Sequence, residues 1–128
     1  MSREFEYTIK KKITEEQIKD LVVDGVETGI GYWATLHNDT EEFEKCYDTT
    51  DLTTSEIIAE ILLKGGSVKI TDLEENEDPK YDLTLKRLLV GIQKNAEERP
   101  WDCDLENYDA TTCDCIFQYA IFDEVIFG

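Results

Sequence analysis

The chain has 128 residues, of which 41% are hydrophobic, and it carries 30 acidic against 13 basic side chains, a formal net charge of −17. This length and apolar content predict one domain over residues 1–128 with a core that needs no metal or disulfide. The charge argues against direct contact with nucleic acid or with an anionic membrane, because like charges repel.

The negative charge is unevenly distributed along the chain. Residues 1–19 hold five basic and four acidic side chains, so residues 20–128 sum to −18. No basic residue follows Arg99, whereas seven acidic residues do. A basic protein surface, such as a nucleic-acid-binding groove, is the natural complement of this charge.

Residues 1–20 are charged throughout and lack the apolar segment of a signal peptide. No apolar run approaches the roughly 20 residues that span a bilayer. The four cysteines therefore indicate free thiols in a reducing cytoplasm.

Two strands are predicted in the first third of the chain. Phe5, Tyr7 and Ile9 alternate with polar residues within 4–13, which is typical of a strand with one buried face. Residues 30–37 are rich in aromatic and β-favouring types and predict the second strand.

Two capping boxes predict where helices begin. Thr14 with Gln17 starts a short helix that we expect to end at Gly25. Thr53 with Glu56 starts a second helix, which ends at a Gly-Gly pair. Residues 38–52 between these helices are polar and acidic and predict a loop.

The second half predicts a hairpin and two further helices. Residues 67–71 and 80–83 are short strands on either side of an acidic loop, and a helix follows over 84–97. Asp109 or Thr111 caps the last helix, and the apolar ending Val-Ile-Phe-Gly predicts a C-terminus packed onto the domain. The expected fold class is α+β, with about four helices and a small, mostly antiparallel sheet of three or four strands.

The residues that suggest chemistry form no convincing site. Cys113 and Cys115, with Cys103 and Cys46, are candidate zinc ligands, but a Cys-x-Cys pair on a helix points its thiols about 200° apart. We expect Cys113 in the core and the other thiols free. No Ser-His-Asp or Cys-His motif surrounds His37, the single histidine, so we expect it to have an ordinary structural role.

Two acidic clusters, Asp48 with Asp51 and the acids of residues 72–78, also suggest a cation site. Neither cluster follows the EF-hand pattern of alternating oxygen ligands, a central Gly and a terminal Glu. Close pairs of carboxylates arise by chance among 30 acids, so they do not indicate catalysis. We therefore expect no enzyme activity, no cofactor and no dedicated metal.

The acidic surface itself is the strongest functional signal, because −17 exceeds the magnitude of about 2–8 that solubility requires of a small domain. Three segments concentrate the charge: 38–51, 72–82 and 97–109. The candidate partner-binding carboxylates are Asp48, Asp51, Asp72, Glu74, Glu75, Glu77, Asp78, Asp102, Asp104 and Glu106. The candidate aromatic anchors are Tyr47, Tyr81 and Trp101.

Residues 58–70 run from a helix through Gly-Gly into a strand, and residues 114–128 join an apolar helix to the apolar C-terminus. Together with Gly31-Tyr32-Trp33 and residues 81–85, they resemble small acidic proteins encoded by phages and prophages of Gram-positive bacteria. The resemblance covers most of the chain from about residue 20. It implies a protein of the bacterial host cytoplasm and carries no catalytic residues over to this chain.

Small acidic proteins in that setting include anti-CRISPR and anti-restriction inhibitors, several of which mimic DNA. The leading hypothesis is therefore an inhibitor that binds a basic surface of a host nuclease or CRISPR effector. One alternative is an enzyme or sequestering protein for a nucleotide-type ligand, if Lys10, Lys11, Lys12, Lys86 and Arg87 converge on a pocket. Another is a phage accessory protein without a defence role. The oligomeric state is left open, with a dimer among the alternatives.

Overall fold

The structure, a computed structural model, describes residues 2–37, 51–72 and 81–128. It is an α+β fold, as predicted. Its helices within these ranges are α1 (Glu15–Asp24), a π-helix (Gly25–Gly29), α2 (Thr54–Leu63), α3 (Leu85–Glu98), a 3₁₀ turn (Pro100–Asp102) and α4 (Ala110–Phe122). Its strands are β1 (Ala34–His37), β2 (Ser67–Asp72) and β3 (Tyr81–Thr84).

The strands form a three-stranded antiparallel sheet with β2 in the centre. Leu36 pairs with Ile70, and Val68 pairs with Leu83, so one face of the sheet is apolar. The pairing of β2 with β3 confirms the predicted hairpin. His37 lies at the end of β1, where its Nε2 is 2.5 Å from Thr71 Oγ1.

Helix α4 is the centre of the core, since every residue from Thr112 to Ala120 is buried. Helix α3 packs closely against it because Gly91 has no side chain: a Cβ there would overlap Ile116 O and lie 2.9 Å from Ala120 N. Cys113 is fully buried, as predicted. Cys115 is buried as well, because α4 is enclosed on most of its circumference.

The helix starts follow the predicted caps. Thr14 Oγ1 accepts from Gln17 N at 3.1 Å, and Thr53 Oγ1 accepts from Glu56 N at 3.3 Å, each with the reciprocal bond. Asp109 is the cap of α4, since its carboxylate accepts from Thr112 N at 3.0 Å. Each cap satisfies backbone N–H groups that have no partner within the helix.

The predicted strand at 4–13 is wrong. Residues 2–14 form no strand, and Phe5, Tyr7 and Ile9 are 79%, 86% and 63% exposed. Alternation predicts a strand only where a partner strand is available, and no described strand pairs with this segment. Ile13 alone reaches the core, where it is half-buried.

Two further boundaries differ from the prediction. The first helix does not stop at Gly25 but continues as the π-helix, with Ile30 N donating to Gly25 O at 3.0 Å. Gly25 instead makes room for the ring of Phe117, which a Cβ would overlap. The strand predicted at 30–37 is confined to β1, because Trp33 N and Ala34 N both bond to Ile30 O in a turn.

The C-terminus packs onto the domain, as predicted. The ring of Phe127 stacks on that of Trp33 with centroids 5.5 Å apart. Gln118 Oε1 accepts hydrogen bonds of 2.8 Å from the backbone N–H groups of Ile126 and Phe127. In the described parts of the chain, no helix combines the length and the apolar content needed to cross a bilayer.

Candidate functional site

Helix α1 and the π-helix carry a stripe of carboxylates that the sequence analysis missed. Glu16, Asp20, Asp24 and Glu27 recur at helical spacing and are all exposed, whereas Ile18, Leu21 and Val22 face the core. The recognisable signal was the i, i+4, i+8 spacing of Glu16, Asp20 and Asp24 on the predicted helix, whereas Glu27 lies beyond the end expected for it. The stripe was overlooked because its members are separated in sequence by apolar residues.

The connection between α3 and α4 lies against this stripe. The hydroxyl of Tyr108 donates to Asp24 Oδ2 at 2.7 Å. Partial burial, the bond to Asp24 and the negative charge of Asp20 raise the pKa of Tyr108 above its ordinary value of 10.0. Burial and the nearby carboxylates of Asp24 and Asp109 raise the pKa of Cys113 to about 12. The bond between Tyr108 and Asp24 places the connection beside the end of α1.

We call this surface the acidic face. It consists of the helical stripe and the carboxylates of the connection: Glu16, Asp20, Asp24, Glu27, Asp102, Asp104, Glu106 and Asp109. Asp104 and Glu106 share a cleft with Gln17 of α1, which joins the two groups at the start of the helix. Three of the residues predicted from sequence, Asp102, Asp104 and Glu106, thus belong to the face.

Asp102 has a structural role within the acidic face. Its Oδ2 accepts from Arg99 Nη2 at 2.9 Å, and its Oδ1 accepts from the hydroxyl of Thr112 at 2.6 Å. Asn95 Nδ2 donates to the carbonyl oxygen of Asp102 at 2.9 Å. These bonds fix the connection on the ends of α3 and α4, so its other carboxylates project from an anchored backbone.

Two members of the stripe, Asp24 and Glu27, lie where a carboxylate is least favourable to a helix. The last turn of α1 contains Asp24 and no basic residue, and Glu27 follows in the π-helix. Helix α3 likewise ends on Glu97 and Glu98 without a basic residue. A carboxylate near a helix C-terminus opposes the helix dipole at a cost of about 0.3–1 kcal/mol. Hydrogen bonds offset this cost at Asp24 and Glu27, which accept from the hydroxyl of Tyr108 and from that of buried Ser55, each at 2.7 Å.

Of the two predicted aromatic anchors that the structure describes, Trp101 is the exposed one. Its side chain is 76% exposed, and the guanidinium of Arg99 lies 5.9 Å from the ring centroid. It lines a cleft of about 530 Å³ with Asp104 and Glu106 at the edge of the acidic face. An exposed aromatic residue beside a charged surface has the properties of a binding anchor.

Tyr81 and Asp72 have mainly structural surroundings. Tyr81 is half-buried, with its ring edge-on to Phe122 at a centroid distance of 5.2 Å. Asp72 is 6% exposed at the end of β2. Asp51 is exposed ahead of α2. The remaining predicted residues lie outside the described parts of the chain: Tyr47, Asp48, Glu74, Glu75, Glu77 and Asp78.

The five basic residues considered for a nucleotide-type ligand do not converge. Lys11 and Lys12 line the cleft beside Trp101. Lys86 lines a separate cleft on α3, and Arg87 donates to Ala120 O at 2.7 Å and pairs with Asp123. The two lysines of the Trp101 cleft share it with two carboxylates, so its charge is mixed.

A buried carboxylate in α4, Asp114, was also not singled out by the sequence. It accepts from Tyr32 Oη at 2.5 Å, Trp33 Nε1 at 2.7 Å and Gln118 Nε2 at 2.9 Å. Partial burial and the bond to Asp114 raise the pKa of Tyr32 to about 12. Since Gln118 also binds the C-terminal backbone, this network joins the 30–33 turn, α4 and the chain end. Its role is structural.

Among the residues that the structure describes, no group of three His, Cys, Asp or Glu side chains is arranged to hold a metal ion. The thiols of Cys103, Cys113 and Cys115 form no disulfide. Comparisons with protein families, with curated proteins and with solved structures found no match to this chain.

Proposed function

We propose that this chain is an interaction protein of the phage-encoded inhibitor type, whose acidic face occupies a basic, nucleic-acid-binding surface of a host defence protein in the bacterial cytoplasm. The observation that carries the proposal is the exposed stripe from Glu16 to Glu27, joined to the 102–109 connection by the bond between Tyr108 and Asp24. Binding requires no catalytic group and no cofactor.

The charge density of the stripe is suited to such a surface. Four carboxylates lie along about 16 Å of helix with a mean spacing of about 5.5 Å, against about 3.4 Å per phosphate along one DNA strand. The stripe thus supplies about 60% of the axial charge of one strand, and the connection adds carboxylates beside it. A groove that releases counterions from DNA would release them on binding this face as well.

The rigidity of the acidic face favours binding for a second reason. Its carboxylates stand on a capped helix and on a connection anchored by Arg99, Asn95 and Thr112. Side chains on an ordered backbone lose less conformational entropy on binding than those on a disordered acidic tail.

The test is displacement of a duplex. A fluorescent 20-base-pair DNA is bound to a purified CRISPR effector nuclease or restriction endonuclease, and anisotropy is followed as this protein is added at several salt concentrations. We expect displacement that weakens steeply with salt. A salt-independent response, or no displacement from any nuclease of these classes, would contradict the proposal.

Two variants of equal charge locate the surface. Asp20→Asn, Asp24→Asn and Glu27→Gln together remove three charges from the stripe and keep an acceptor oxygen for Tyr108. Glu97→Gln, Asp123→Asn and Glu124→Gln remove three exposed charges elsewhere. We expect the first set to weaken displacement at least about tenfold and the second to have little effect. Equal losses would indicate that net charge alone matters.

A second candidate function is sequestration of a small aromatic anion in the cleft where Lys11 and Lys12 face exposed Trp101. An aromatic base stacks on Trp and a phosphate pairs with Lys, whereas Asp104 and Glu106 oppose the anion. A titration with nucleotide, monitored by tryptophan fluorescence, distinguishes sequestration from the binding of a basic protein surface. Saturable quenching that Trp101→Leu abolishes would favour sequestration.

A further inference from the structure

The N-terminal arm, residues 2–12, has a sequence pattern that its own chain does not use. Its alternating residues Phe5, Tyr7 and Ile9 are the most exposed large apolar side chains in the described structure apart from Trp101. They are β-favouring types at a period of two, the pattern of a strand with one covered face. Such a cluster of exposed apolar residues indicates a contact surface.

The arm also has the opposite charge to the rest of the protein. It holds four basic and two acidic side chains, a net +2, whereas the remaining residues sum to −19. The arm is therefore attracted to an acidic partner, and it is repelled by the basic surface proposed for the acidic face. A second copy of this chain is an acidic partner that is always present.

The outer edge of β3 offers a complementary acceptor. Within the described residues β3 pairs only with β2, so its other edge bonds to no strand. Its Asp82 is exposed and pairs with Lys69 of β2, while Tyr81 and Leu83 lie on the apolar face of the sheet. The other edge strand, β1, contains no carboxylate. A carboxylate on the edge strand therefore distinguishes β3 from β1 as the acceptor of a basic arm.

We propose that the arm of one copy pairs as a fourth, antiparallel strand with the outer edge of β3 in a second copy. Pairing Thr8 with Asp82 places Tyr7 beside Leu83 and Ile9 beside Tyr81, on the face that continues the core. Lys10 then lies diagonal to Asp82, within reach of a long side chain. Backbone hydrogen bonds supply affinity in this mode, and the alternating side chains supply specificity.

The length and exposure of the arm permit this pairing. Residues 6–9, which face β3 in this register, are about 13 Å long when extended and match its four residues, and residues 10–12 add about 10 Å between them and Ile13. All residues from 2 to 12 are exposed, so leaving their present position costs little buried area. The chain remains anchored at Ile13 and α1.

Sedimentation velocity of the full chain tests the association. We expect a dimer that Phe5→Ser with Tyr7→Ser converts to monomer, with a dissociation constant raised at least about tenfold. The matched control, Glu4→Ser with Glu6→Ser, changes the opposite side of the arm and keeps the dimer. Because the arm lies outside the core, circular dichroism should be the same for all three proteins. A wild type that stays monomeric up to its solubility limit would overturn the proposal.

Disulfide trapping tests the register. The variants Thr8→Cys and Asp82→Cys are mixed under mild oxidation, and the linked peptides are identified by mass spectrometry. We expect a disulfide between positions 8 and 82 at a yield at least about tenfold above that of Thr8→Cys mixed with Glu124→Cys, since directly opposite Cβ atoms lie about 5 Å apart. Equal yields would refute pairing at β3. The acidic face takes no part in these tests, so their outcome is independent of the proposed function.

Discussion

The hydroxyl of Tyr108 donates a 2.7 Å hydrogen bond to the carboxylate of Asp24, which lies 84 positions earlier in the chain. This bond joins the connection between α3 and α4 to the end of α1. It assembles the acidic face from two segments that the sequence separates.

Tyr108→Phe should lower the free energy of unfolding by about 1 kcal/mol, because it removes one partly buried hydrogen bond to a charged acceptor. Tyr7→Phe makes the same chemical change in the exposed arm and should leave stability unchanged. Urea denaturation followed by circular dichroism measures both. Equal stability of the two variants would mean that the bond to Asp24 does not hold the connection.

Asp114→Asn should lower the free energy of unfolding by about 1–3 kcal/mol. The three donors that surround Asp114 need an acceptor, and an amide presents one NH₂ group to them. Glu124→Gln also removes one negative charge, but from an exposed site, and should stay within about 0.5 kcal/mol of wild type. Urea denaturation followed by tryptophan fluorescence makes the comparison. If Asp114→Asn lowered the free energy of unfolding by less than about 0.5 kcal/mol, the structural role of the network would be contradicted.

Tyr32 makes stability depend on alkaline pH. Its pKa rises from 10.0 to about 12 in the folded state, so folding favours the neutral phenol. The stabilisation is therefore complete below pH 10 and is lost as the pH rises toward 12. Tyr32→Phe should lack this loss, measured as the difference between the two unfolding free energies from pH 8 to 12. Parallel pH profiles would show that Tyr32 is not held in its neutral form.

Gly91→Ala should destabilise the protein by about 3 kcal/mol, because the added methyl overlaps the α4 backbone at Ile116 and Ala120. The gain in helix propensity, about 1 kcal/mol, does not offset this overlap. Gly31→Ala is the control, since a Cβ there meets no atom within 4 Å. Thermal denaturation should show a large fall in melting temperature for Gly91→Ala and little change for Gly31→Ala. Similar melting temperatures would place α3 and α4 further apart than described.

Cys103 should react with iodoacetamide in the native protein well before Cys113 and Cys115. Cys103 is half-buried, whereas burial removes the other two from reagent and raises the pKa of both. Reactivity follows the thiolate, so Cys113, with a pKa of about 12, stays protonated at pH 8. Peptide mass spectrometry measures labelling, and the same reaction in urea, where all three should react, is the control. Native labelling of Cys113 at the rate of Cys103 would contradict its burial.

Local sequence signals predicted much of the secondary structure. Thr14, Thr53 and Asp109 start helices where predicted, because a cap depends on residues only three positions apart. The hairpin and the packed C-terminus were also predicted. The same reasoning failed at 4–13, where the alternation is present but no described strand pairs with it.

The sequence likewise predicted only part of the candidate site. Of the predicted residues that the structure describes, Asp102, Asp104 and Glu106 lie on the acidic face and Trp101 lies at its edge, whereas Tyr81 and Asp72 are largely enclosed by the fold. The stripe on α1 was missed because a charge-rich segment is obvious in sequence, whereas four acids separated by core residues gather only when the helix forms.

The sequence alone determined the class of this protein: an acidic α+β chain with capped helices and a core-forming last helix. These features follow from composition and from interactions between residues a few positions apart. Only the tertiary structure decided which carboxylates share a surface, that Asp24 meets Tyr108, and that the basic arm stays exposed. Contacts between distant residues depend on how the helices pack around α4, and local periodicity carries no information about that packing.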